Sequence, residues 1–229
     1  MEPINLKKLN AARRERVAVC LVSDLKEGRD RVVREGDPVS GALGAAIEAA
    51  FLTGKSALAE ADGAEFFINV HVPSPRIVVI GAVHISQALA PMAKIAGYDL
   101  EIIDPRTAFA TPERFGEVAL HAAWPQDALS RRPLDAYTAL VAVTHDPKID
   151  DLPILSAIAA KCFYIGALGS RKTHAKRIER LTAAGVSEAD LARIRAPIGL
   201  DIGASSPAEI AVATLAQIIL AFRGRSLGA

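Results

Sequence analysis

The rhythm of apolar and polar positions changes near residue 76. Downstream, "RIVVIGA" is apolar from end to end, as a strand covered on both faces of a parallel sheet is. "SQALAPMAKIAG" follows with helical spacing and a glycine stop at Gly97. Pro91 lies inside it, which predicts a kink or an early first turn. "YDLEIID", "GEVALH", "YTALVAVTH" and "CFYIGAL" read as further strands. "DLPILSAIAA" reads as a helix that Asp150 or Asp151 would cap, and "RKTHAKRIERLTAAG" as a helix with its basic residues on the exposed face. "SEADLARIRA" is a short helix capped by Ser187. "SPAEIAVATLAQIILAFRG" closes the chain as a helix, with Ser206 as N-cap and Pro207 at the first helical position. The alternation predicts an α/β fold, a Rossmann-like doubly wound parallel sheet over residues 76–224.

Upstream the order is different. "INLKKLNAARRER" and "VSGALGAAIEAAFLTGK" read as helices, while "RVAVCLVSD", "DRVVRE" and "EFFINV" read as strands. This predicts a smaller α+β module over residues 1–72. The prolines of "HVPSPR" mark the boundary.

Apolar residues make up 51% of the 229, enough for a substantial core, and the net charge of +1 gives no basic excess for nucleic-acid binding. No run approaches 18 consecutive apolar residues, so no membrane span is expected. "MEPINLKKLNAARRERV" lacks the apolar region of a secretory signal, so a cytoplasmic protein is expected. Cys20 and Cys162 each sit in an apolar run and read as buried structural thiols. There is no C-x-x-C pattern and the five histidines are dispersed, so no metal site is expected.

In open parallel sheets ligands bind at the carboxyl ends of the strands. Five loops qualify: Gly81–Ser86, Asp104–Arg106, Thr144–Asp151, Gly166–Lys172 and Gly199–Ser206. The first carries only one glycine of the dinucleotide pattern G-x-G-x-x-G. Val83 stands where bare backbone would meet a pyrophosphate, and His84 adds a donor. The turn is either a weakened anion site or a plain strand-to-helix joint. Asp104, about 20 residues on, suits a ribose; Arg106 suits a phosphate; or the two pair with each other. His145, Asp146, Asp150 and Asp151 cluster in one loop and suit acid–base work or helix capping. Gly169, Ser170, Arg171 and Lys172 bring amides, dipole and charge together at a helix start, the better anion site. Asp201, Gly203 and Ser206 lie in the densest glycine and serine stretch.

"GAVHISQALAPMAKIAGYDLEIIDPRTAFATPERF", "VTHDPKIDDLPIL", "YIGALGSRKTHAKRIERL" and "PIGLDIGASSPAEIA" together resemble the xanthine dehydrogenase accessory proteins of the XdhC/CoxI type, from Arg76 to the C-terminus. "REGDPVSGALGAAIEAAFLTGK" looks like a reduced copy of their N-terminal module. The resemblance implies a chaperone rather than an enzyme. Its cargo would be molybdenum cofactor, as plain molybdopterin or as a dinucleotide, with NAD(P) less favoured. Its partners would be a molybdenum hydroxylase client such as xanthine dehydrogenase, a cysteine desulfurase, and further copies of itself. Gly81, His84, Asp104, Arg106, His145, Asp146, Gly169, Ser170, Arg171, Lys172, Asp201, Gly203 and Ser206 would line the site. Two departures stand out: Val83 replaces a glycine of the family's G-A-G-H turn, and Ser40-Gly41-Ala42-Leu43 replaces S-G-G-C. An NAD(P)-dependent oxidoreductase and a ligand-free scaffold in a maturation complex are the alternatives.

Overall fold

The computed structural model describes residues 2–224. They fall into two compact units, one through Pro73 together with Arg223 and Gly224, the other Ser74–Phe222.

The first unit holds α1 (Pro3–Arg14), β1 (Val19–Asp24), β2 (Asp30–Arg34), α2 (Gly41–Thr53), β3 (Ala57–Ala61) and β4 (Ala64–His71). Its strands form an antiparallel sheet in the order β2-β1-β4-β3. β3 is an unannounced strand: "ALAEA" lacks the β-branched residues that signal one, and pairing with β4 through the Asp62–Gly63 turn defines it. α2 buries Leu43, Ile47, Ala50 and Phe51 and stops at Gly54 in the left-handed conformation. Leu43, at the position of the family cysteine, is a core residue. Cys20 and Cys162 are free and buried. Burial pushes their thiols up to about 11 and about 12, so neither is a ready nucleophile.

The second unit runs β5 (Arg76–Ile80), α3 (His84–Ile95), β6 (Asp99–Ile103), α4 (Pro112–Phe115), β7 (Ala119–His121), α5 (Pro125–Arg131), β8 (Thr138–Ala142), α6 (Pro147–Ala159), β9 (Tyr164–Ala167), α7 (Arg171–Ala183), α8 (Glu188–Leu191), β10 (Ile194–Arg195) and α9 (Pro207–Gly224). The strand order is β10-β9-β8-β5-β6-β7, every pair parallel. This is the doubly wound Rossmann arrangement. Alternate strand residues feed two cores. Ile77, Val79 and Val141 pack with Leu89 of α3 and Ile218 of α9, whereas Val78, Ile80 and Leu140 pack with Ile154 of α6 and Leu181 of α7. Arg76, 1% exposed, opens the central strand. Its Nε donates to Thr138 Oγ1 at 3.0 Å, its Nη1 lies 3.3 Å from Glu101, and its Nη2 donates to the Pro133 carbonyl.

Four expectations need correction. α3 runs unbroken from His84 to Ile95 through Pro91. α6 starts at Pro147, one turn earlier than its apolar pattern suggests, with Asp146 as its cap through a bond from the Lys148 amide; Asp150 and Asp151 are inside the helix. "RIR" is no part of a helix: Ile194 and Arg195 pair with β9 as the edge strand. Finally, the basic residues of α7 are not all outside, since Arg177 is 2% exposed. Among the described residues one helix, α9, has the length and hydropathy of a membrane span. Its Ala211, Leu215 and Ile218 pack on the sheet, as a covering helix does.

Candidate functional site

A parallel sheet puts all post-strand loops on one edge. The order reverses at β5, whose chain continues to β6 on one side while β8 lies on the other. The loops after β5, β6 and β8 therefore converge at the switch point.

The first turn is tightly made. Gly81 has φ +124°, and a Cβ there would stand 3.1 Å from Thr144 Cγ2 and 3.3 Å from the Thr144 amide. Only glycine fits between the two loops. The Ala82 amide donates to Asp104 Oδ2 at 2.8 Å. The Val83 amide donates to Ser86 Oγ at 2.8 Å, and that hydroxyl donates to the Gly81 carbonyl at 2.7 Å. Val83 itself leans on the apolar core under α3. The turn's own amides are thus spent internally, and the helix start behind it is headed by the exposed His84.

Asp104 is fully buried and saturated. Besides the Ala82 amide it accepts from the Arg106 amide (2.9 Å), Arg106 Nε (2.9 Å) and Arg106 Nη2 (2.7 Å). Burial works against its ionised form, but the Arg106 side chain and the two amides outweigh it and hold the carboxyl below its usual range. Arg106, a third exposed, stacks 4.6 Å from the Phe109 ring centroid, and its charge is also felt by Asp150 and Asp146. Asp104 therefore acts as a latch joining the first two loops and aiming Arg106; no lone pair is left for a ribose.

In the third loop Thr144 Oγ1 donates to Asp150 Oδ1 at 2.7 Å and accepts from the Asp146 amide at 3.1 Å. His145 is exposed with φ +65°. In the fourth loop Ser170 caps α7 through the Thr173 amide at 3.2 Å. Gly169 has φ +131°, and a Cβ there would meet Thr173 at 3.0 Å. Arg171 and Lys172 stand exposed on the first turn of α7. A cavity of about 220 Å³ joins the third and fourth loops, with His145 and Pro147 on one wall and Lys172 and Thr173 on the other. The fifth loop shares the edge but bonds locally. Ser206 Oγ accepts from the Glu209 amide, Glu209 accepts in return from the Ser206 amide, and Gly199 is held by Gln217. Asp201 and Gly203 are exposed. Among the described residues no cluster of three or more His, Cys, Asp or Glu is placed to hold a metal ion.

Residues 77–218, nearly all of this sheet and its helices, match the XdhC Rossmann domain family. The chain belongs to that family. Over 158 residues it is 35% identical to the uncharacterized protein YqeB of Escherichia coli, covering 67% of this chain and 28% of that one. It is 32% identical over 147 residues to the molybdenum cofactor insertion chaperone PaoD of the same organism (64% and 40%), and 33% identical over 154 residues to a probable xanthine dehydrogenase subunit of Bacillus subtilis (67% and 44%). The chain spans less than half the length of each of these relatives. A crystal structure described as a xanthine dehydrogenase from Bacillus halodurans superposes with a TM-score of 0.62 at 22% identity, over 96% of this chain and 64% of that one, a likeness of fold.

Two residues of this XdhC-family edge escape the sequence reading, Thr144, which ties the third loop to α6, and Arg177; Asp150, read there as an acid–base candidate or a cap, is a buried acid inside α6. A signal for Arg177 exists. It stands four residues before Leu181, on the stripe of α7 that turns inward.

Proposed function

We propose that this chain is a molybdenum-cofactor-binding chaperone that assists cofactor sulfuration and insertion in a xanthine dehydrogenase-type molybdenum hydroxylase, in the cytoplasm and without chemistry of its own. The observation that carries this reading is the 32% identity to the insertion chaperone PaoD across the domain whose loops meet at the switch point. Molybdopterin, plain or as a dinucleotide, is the cargo. Arg106 offers Nη1, which has no acceptor among the described residues, and His84 and His145 stand exposed on the loops after β5 and β8. Gly169, Ser170, Arg171 and Lys172 receive phosphate at the start of α7, while Asp146 shapes the third loop. Asp201, Gly203 and Ser206 close the far side. Asp104 and Gly81 act by holding this frame.

The buried, protonated thiols of Cys20 and Cys162 leave sulfur delivery to a partner, which a cysteine desulfurase supplies in this reading. The client hydroxylase and a second copy of the chain are the other partners.

Co-expression with a cofactor-synthesising host tests the proposal. The purified chain is expected to carry oxidisable pterin, detected by fluorescence after acid release. Replacing Arg171 and Lys172 together by alanine is expected to lower retention about tenfold through lost charge-assisted bonds. A chain that purifies free of pterin counts against the proposal.

A further inference from the structure

A buried arginine with two of its three guanidinium nitrogens unbonded is unusual, because each unmatched N–H keeps its desolvation cost. Arg177 is such a residue. Its Nη2 donates to the Leu168 carbonyl at 3.0 Å, while Nε and Nη1 have no partner among the described residues. Facing the same cavity is Asp150, 1% exposed, which spends Oδ1 on Thr144 and leaves Oδ2 without a partner among the described residues. Each charge perturbs the other, yet the two make no direct bond. Something that accepts from the arginine and donates to the acid would satisfy both.

The surroundings specify the charge of that guest. Lys172 and Lys176 line the same 220 Å³ cavity between α6 and α7. Asp151 is also on its wall, but Arg180 holds it at 2.7 and 3.0 Å, so that pair cancels. Three positive groups then face one acid, which suits a doubly charged anion.

We infer that this cavity is a phosphate site, in which a phosphoryl group accepts from Nε and Nη1 of Arg177 and donates its own hydroxyl to Asp150 Oδ2. The inference shares Lys172 with the chaperone reading but is tested without pterin. Free hydrogen phosphate meets its terms while doubly charged, and a monoester meets them where its phosphoryl group keeps a proton, below about pH 6. Hydrogen phosphate brings both the acceptors and the donor. Sulfate is of the same size and charge but has no proton near neutrality, so it would set an oxygen against the Asp150 carboxylate. Burial first of all pushes Asp150 up to about 6, against the pull of Thr144, Arg177 and the His145 amide. Below that value the acid carries its own proton and can donate to either anion. The other groups facing it are His145 in the loop before α6, Asp151 on the same helix, Lys172, Lys176, Arg177 and Arg180 on α7, and Arg106 from the loop after β6. At pH 8.0, where both anions are doubly charged, they act on phosphate and sulfate alike.

The test is calorimetric titration of the full chain in low-salt, phosphate-free buffer with inorganic phosphate, sulfate and ribose 5-phosphate. At pH 8.0 one phosphate is expected per chain, bound at least about tenfold tighter than sulfate, with the gap narrowing by pH 5.5. Asp150→Asn is expected to bring the two anions within about threefold of each other at pH 8.0. Arg177→Met is expected to abolish binding. If it does not fold, K172A/K176A, on exposed positions, is expected to weaken both anions about tenfold with thermal stability unchanged. At pH 5.5, where a monoester keeps its phosphoryl proton, ribose 5-phosphate binding tighter than phosphate would mark the site as the seat of a larger ligand's terminal phosphate; equal or weaker binding would mark free phosphate. No saturable phosphate binding up to about 10 mM, sulfate held as tightly as phosphate at pH 8.0, or indifference to K172A/K176A would overturn the assignment.

Discussion

Asp104→Ala is expected to lower stability by about 3–5 kcal/mol and to abolish the pterin retention proposed above in the same step. The carboxylate is fully buried and receives four donors, from the Ala82 amide and from the amide, Nε and Nη2 of Arg106. Alanine leaves a buried amide and a partly buried guanidinium without their acceptors, and unmatched buried donors are costly. The first turn then loses its tie to the second loop, and Arg106 loses its aim. Asp104→Asn keeps the size but not the charge and is expected to fall between the two. The pH dependence has a defined sign. A carboxyl held below its usual range contributes stability that is present above the unfolded value and is lost as pH falls through the folded one. Urea denaturation is therefore expected to show the gap between wild type and Asp104→Asn at neutral pH, closing only below about pH 4.

Arg76→Met is expected to cost a similar amount, about 3–5 kcal/mol, without touching the ligand edge. Arg76 sits at the opposite end of β5, buried in the middle of the sheet, and bonds Thr138 on one neighbouring strand and Glu101 on the other. Removing it strands Glu101 in an apolar sheet, only partly served by Arg132 and His121 at 3.3 and 3.2 Å. Adding Glu101→Leu removes the orphaned charge and is expected to restore more than half of the loss. Denaturation followed by circular dichroism measures both steps. Recovery by the double variant would assign the cost to the unpaired acid, whereas additive losses would assign it to packing.

The two variants act at opposite ends of one strand, and the sequence announces these ends unequally. "RIVVIG" is apolar on both faces, so its place inside a parallel sheet is legible from pattern alone. The arginine that heads it gives no sign of being buried, because its partners, Thr138 and Glu101, are 62 and 25 residues away. The candidate site divides in the same way. Gly81, Gly169 and Ser170 are recognisable because turn and cap chemistry is local. Asp104 and Arg106 invite attention as a ligand pair, but that the acid is consumed as a latch follows only from the Ala82 amide, 22 residues upstream. Asp150 reads as a cap only while the helix is taken to start after it. Asp146 caps instead, and this puts Asp150 inside, facing Arg177 on another helix. β3 is illegible for a related reason: "ALAEA" becomes a strand through its partner β4, not through its composition.

Equilibrium binding of the released cofactor tests the account most directly. Molybdopterin-type cofactor freed anaerobically from a molybdenum hydroxylase is titrated into the apo chain beside NADH, with Asp104→Ala as the control. Saturable retention of one pterin per chain, lost in the variant, with no micromolar binding of NADH, is the predicted result. Micromolar NADH binding, or a pterin that passes through the wild-type chain unretained, would contradict it.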